Sequence, residues 1–150
     1  MSRPRIAILG IFVADLAFRA RRLPVMGETL LGQGFAMGPG GKGSNQSVAA
    51  ARAGGEVSFI AKLGRDSFGD IALKTWAADG IDTSQVLISD EVPTGAAFIF
   101  VSSETGDNAI IVEAGAAGTL TASLCHILLE LFPNLACPSL NQFHSWRYFV

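Results

Sequence analysis

The segment Gly38-Pro39-Gly40-Gly41-Lys42-Gly43 narrows the folds open to this chain more than any other feature. Glycine has no side chain to pack and loses the most conformational freedom on ordering. A folded chain therefore keeps such a cluster where the main chain must turn or run close to another group. The cluster leads straight into Ser44-Asn-Gln-Ser-Val-Ala-Ala-Ala-Arg52. Ser44 or Asn45 can cap a helix there, alanines fill it, and Gly54-Gly55 stops it. A glycine-rich entry into a helix over 44–52 is the anchor for placing the other elements.

Upstream, Arg5-Ile-Ala-Ile-Leu-Gly10 reads as a fully buried strand, Phe12 to Phe18 continues in extended form, and Leu30 to Met37 is a further strand. Downstream, Val57 to Leu63 is a buried strand. Asp66 or Ser67 starts a helix that carries Ile71, Leu73 and Trp76 and ends at Gly80. Strand, helix, strand, helix predicts an α/β layout with parallel strands. Thr94 to Ser102 and Ala109 to Glu113 flank the polar Ser103-Glu-Thr-Gly-Asp-Asn108, the pattern of an antiparallel hairpin, as in a flap or lid added to the core. Leu124, Ile127, Leu128 and Leu131 have helical spacing up to Pro133. Residues 134–150 have no clear period.

Hydrophobic residues make up 49 % of the chain and charged residues 16 %, which excludes a disordered chain, and the net charge of −2 carries no footprint for nucleic acid. No apolar run reaches the roughly 18 residues that span a bilayer. Arg3 and Arg5 before Ile6–Ala14 could suggest a secretion signal, but Asp15 and Arg19 interrupt where small residues would be needed, so a first strand is expected. Cys125 and Cys137 make no disulfide framework, and with His126 and His144 they lack metal-ligand spacing. A reducing, cytoplasmic setting and no metal site are expected.

Three chemistries compete for residues 38–45. A P-loop needs a hydroxyl after the lysine and a glycine five residues before Gly41. Here Gly43 and Ala36 stand at those positions. A dinucleotide fingerprint fits Gly38, Gly40 and Gly43, but follows the first strand far too late. A polyol-contacting loop fits best: close backbone N–H groups, a helix N-terminus, the mobile cation of Lys42, and Asn45 as donor and acceptor. A plain turn with a helix cap stays open beside it.

Gly40-Gly41-Lys-Gly-Ser-Asn45-Gln-Ser-Val-Ala-Ala-Ala-Arg-Ala-Gly54, followed by Phe59-Ile-Ala-Lys-Leu-Gly64-Arg-Asp-Ser-Phe-Gly69, resembles the N-terminal signature of the ribokinase/PfkB sugar kinases. Ile8-Leu-Gly10 with Asp15, Pro24 with Gly27-Glu-Thr29, Gly80-Ile-Asp82, Thr94-Gly95 and Glu113-Ala-Gly115 fall in the family's order, so the resemblance covers about residues 5 to 121. It implies an α/β fold: an incomplete ribokinase-like domain over 1–121, with a parallel core sheet, helices, and a small antiparallel β lid within about 12–37 and 94–113. Residues 122–150 would be a divergent tail. A Rossmann-type domain is the alternative.

The resemblance also implies roles. Asp15 would accept hydrogen bonds from two sugar hydroxyls. Gly41, Lys42, Gly43 and Asn45 would contact the same sugar, and Ala97 and Ile99 would touch its apolar face. The lid would mediate a homodimer. Val13 stands where ribokinases often carry asparagine, which puts ribose itself in doubt. The family's later Gly-Ala-Gly-Asp motif, which supplies the catalytic base, does not occur in these 150 residues. No catalytic residue is therefore assigned. ATP and Mg2+, with K+ as a further ion, belong to the complete family member and are not expected to bind well here. A small sugar is the expected partner, with neither nucleic acid nor membrane. The tail after Ala122 reads as foreign sequence, such as a frameshift product.

Overall fold

The computed structural model describes residues 3–120. The helical spacing of Leu124 to Leu131, the divergent tail and its histidines and cysteines lie outside the described residues.

Three parallel strands form the core sheet: β1 (Arg5–Leu9), β4 (Glu56–Gly64) and β5 (Val86–Ser89), in the order β1-β4-β5. Between β1 and β4 in sequence come β2 (Val13–Ala20), β3 (Gly34–Gly40) and helix α1 (Lys42–Arg52). Helix α2 (Ser67–Ala78) follows β4. Then β6 (Thr94–Ser102) and β7 (Asn108–Gly115) join β2 and β3 in a second sheet of order β3-β2-β6-β7.

β4 is central, so its run of Val57, Phe59, Ile60, Ala61 and Leu63 is buried, as parallel strands covered by helices require. The core gathers round Trp76 of α2. Its ring meets Phe59 edge-on at 4.8 Å and Phe12 at 5.7 Å, a favoured geometry for aromatic pairs. Trp76 is fully buried, and its indole N–H donates to Ser44 Oγ at 2.9 Å. One hydroxyl thus ties α2 to the first turn of α1.

The α/β class, the parallel core sheet and the hairpin agree with the sequence reading, and five details differ. β1 is half-buried, because it pairs only with β4 among the described residues. β3 starts at Gly34 and takes in Gly38 and Gly40, so half of the glycine cluster is strand. α1 starts at Lys42 with Gly41 as N-cap at φ 91°, and neither Ser44 nor Asn45 caps it: Ser44 is occupied by Trp76. β5 was not foreseen, since four apolar-leaning residues show no period. The lid sheet is mixed, because β2 and β6 run parallel between two antiparallel pairs.

Replacing Ser44 by alanine strands a buried indole N–H. The expected loss is about 1–3 kcal/mol, read from the denaturant midpoint, with Trp76→Phe in the same background reducing the penalty.

Candidate functional site

Asp15 lies in β2, in register with Gly38 of β3 and Ala97 of β6. Paired residues share a face of a sheet, and alternate residues along a strand return to it. Val13, Asp15, Ala17, Gly38, Gly40, Ala97, Ile99, Ile110 and Val112 therefore form one surface of the lid sheet. Ala97 is buried beside Asp15, while Ile110 and Val112 are exposed further out. The result is an acid set in an apolar floor.

The Asp15 carboxylate lies over Gly40. A Cβ at residue 40 would coincide with its oxygens, so glycine there leaves the acid its place. Burial raises the Asp15 carboxyl above its ordinary value, with burial as the whole cause. Among the described residues nothing donates a hydrogen bond to this carboxyl, and a carboxylate can accept two from a vicinal diol.

β3 passes directly from Gly40 through Gly41 into α1, so the first turn of the helix starts beside Asp15. Gly41 has φ 91°, and a Cβ there would strike the Ile11 carbonyl. Lys42 and Asn45 are exposed in that first turn, and the Asn45 N–H bonds to the Gly41 carbonyl at 2.9 Å. Asp15, Ala97 and Ile99 thus share one face of the lid sheet, and Gly41, Lys42, Gly43 and Asn45 lie in the helix start that follows β3 directly. Gly27-Glu28-Thr29 lies elsewhere, in a loop closed by a two-pronged Arg22–Glu28 ion pair, each contact 2.6 Å. That pairing holds the Glu28 carboxyl down at about 2.

Sequence reasoning missed Gly40 as the clearance for Asp15, and Ile110 and Val112 as neighbours of Ile99 and Ala97. The register of β3 against β2 reveals the first, and that of β7 against β6 reveals the second, because Ile110-Ile111-Val112 is a continuous apolar run that does not mark a face by itself. Among the described residues, no three His, Cys, Asp or Glu side chains come together in a cluster of metal-ligand type. No helix among them is long and apolar enough to cross a membrane.

A parallel core sheet flanked by helices, with a four-stranded mixed sheet beside it, defines an α/β protein. The profile of the pfkB family carbohydrate kinases matches residues 3–140, and the chain belongs to that family. The match extends past residue 122, into the segment read from the sequence as divergent. The chain is 39 % identical over 119 residues to the ribokinase of Haemophilus influenzae, covering 79 % of this chain and 39 % of that protein. The structure of Giardia lamblia ribokinase superposes with a TM-score of 0.77 at 33 % identity, covering 89 % of this chain and 40 % of that one. Arabidopsis thaliana ribokinase complexed with ribose and ATP gives 0.69 at 30 % identity, over 77 % and 37 %. The chain spans about two fifths of the length of these relatives.

The raised carboxyl of Asp15 sets a sign for stability. Its neutral form suits the fold, so the associated stability is complete below the ordinary carboxylate range and is lost as pH rises through the raised value. Asp15→Asn is therefore expected to be more stable than the parent at pH 7. The gap should narrow as pH falls towards about 4, measured by urea unfolding across pH.

Proposed function

We propose that the complete protein is an ATP-dependent sugar kinase of cytoplasmic carbohydrate metabolism, and that this chain supplies its sugar-binding half. The observation that supports the reading is Asp15: a half-buried acid with no donor among the described residues, on an apolar face, beside the glycine-rich start of α1. In this reading the Asp15 carboxylate accepts two sugar hydroxyls, and the amides near Gly41 and Gly43 approach the ring. Lys42 and Asn45 bind further hydroxyls, and Ala97 and Ile99 cover the apolar face. Phosphoryl transfer needs a base for the attacking hydroxyl and amides that neutralise developing charge. Lys42 cannot serve as that base, because an ammonium has no lone pair to take a proton. Asp66 is engaged as a helix cap.

A second reading is a sugar-binding or dimerising module without turnover. The lid supports the dimerising part. Its other face exposes Phe18, Phe35, Met37, Phe98 and Ile111, with the Phe18 ring tilted against those of Phe35 at 4.9 Å and Phe98 at 5.7 Å. An apolar face of this kind suits a second copy of the sheet.

Calorimetry with ribose and a panel of pentoses and hexoses tests the site. Asp15→Ala is expected to weaken binding by roughly ten- to a hundredfold, the cost of about 1.5–3 kcal/mol for a charged hydrogen-bond partner. An unchanged dissociation constant rejects the assignment. In a coupled ADP-release assay, the chain alone is expected to show no sugar-dependent turnover. Turnover that disappears in Asp15→Ala would make it a working kinase.

A further inference from the structure

The Asp66 carboxylate does more than cap a helix. Its Oδ1 accepts the Gly69 N–H at 2.9 Å, the usual bond of an N-cap. Its Oδ2 accepts the N–H of Thr94, 28 residues further on, at 2.7 Å. Thr94 is the first residue of β6. Its hydroxyl accepts the Gly64 N–H at 2.8 Å and faces the Gly64 carbonyl at 3.3 Å. The end of β4, the start of α2 and the start of β6 therefore meet in one buried knot. A Cβ at Gly64 would strike the Thr94 amide and Asp66 Oδ2, and one at Gly69 would strike the Gly64 carbonyl. The returning strand is rooted at the same place, since Ala116 N–H donates to the Pro93 carbonyl at 2.7 Å. Burial pushes the Asp66 carboxyl up, but the amides of Gly69 and Thr94 outweigh it and hold the group below its ordinary value.

We propose that Asp66 is a positioning residue for the sugar-facing strand. By bridging the first turn of α2 to the Thr94 amide, it sets how β6, and with it Ala97 and Ile99, stands over Asp15. A residue that only caps α2 needs one oxygen and no partner in the lid. Ala97 lies three residues beyond Thr94 and pairs with Asp15 itself, so a tilt at the root passes directly to the floor of the site. The inference rests on the reading of that face as a sugar site.

The test uses the full chain, with amide hydrogen exchange and ribose calorimetry on Asp66→Asn, Asp66→Ala, Thr94→Ser and Thr94→Val. Asparagine keeps an oxygen for Gly69 but turns an NH2 towards the Thr94 N–H. Asp66→Asn is expected to retain protection in α2 and β4, to speed exchange in β6 and β7 about tenfold or more, and to weaken ribose binding about tenfold. Asp66→Ala should lose protection in α2 as well. Thr94→Ser keeps the hydroxyl and should match the parent, while Thr94→Val should loosen the lid. Parent-like exchange in β6 for Asp66→Asn overturns the proposal, and so does an equal rise in β1, β4 and β6, which would mark a loss of overall stability alone. If the parent chain binds none of the pentoses and hexoses of the panel, the sugar-site reading fails, and the exchange measurement still decides whether Asp66 sets the lid.

Discussion

The contact between Gly10 and Gly43 governs how the rest of the molecule is arranged. A Cβ on either residue would come within 2.7 Å of the other's Cα, so the two backbones touch where side chains would keep them apart. Gly10 follows the last residue of β1, and Gly43 lies in the first turn of α1. Their approach sets the start of the helix against the bend where the chain leaves the core sheet for the lid. Ser44 N–H then faces the Ile11 carbonyl at 3.4 Å, and Phe12 drops between the sheets onto Trp76. Three residues beyond Phe12 the chain presents Asp15 beside that same helix start.

From that crossing the molecule divides its labour. The core sheet, α2 and the Trp76 cluster provide apolar burial with each polar group matched, down to the Ser44 hydroxyl on the indole. The lid does the opposite. It holds a half-buried acid with no donor among the described residues, and it leaves aromatic side chains exposed on its far face. Both features work against the stability of the chain by itself. The two parts are joined covalently through residues 10–12 and non-covalently at Asp66 and Thr94, and the second junction is built from side chains placed 28 positions apart.

Much of this was legible in the residues. α2 could be read because Asp66 and Gly80 mark its ends and because local capping chemistry needs no distant partner. β6 and β7 could be read from two β-rich runs around a polar turn. Asp15 was legible through resemblance, as an acid after the first strand. The start of α1 was not, because the nearest capping side chain, Ser44, had been claimed by a tryptophan 32 residues away. β5 was not, because four residues without alternation become a strand only when β4 offers an edge.

The sequence by itself determined the α/β order, the two helices, the hairpin, and the family to which the glycine and aspartate motifs belong. These are properties of local pattern: periodicity, caps and turns act over a few residues. Only the tertiary structure decided that β2 and β6 lie parallel, which puts Ala97 beside Asp15. It also decided that Gly40 clears room for the carboxylate, and that Asp66 reaches across to Thr94. Register and close approach depend on which distant segments become neighbours, and that choice is made by the whole core at once.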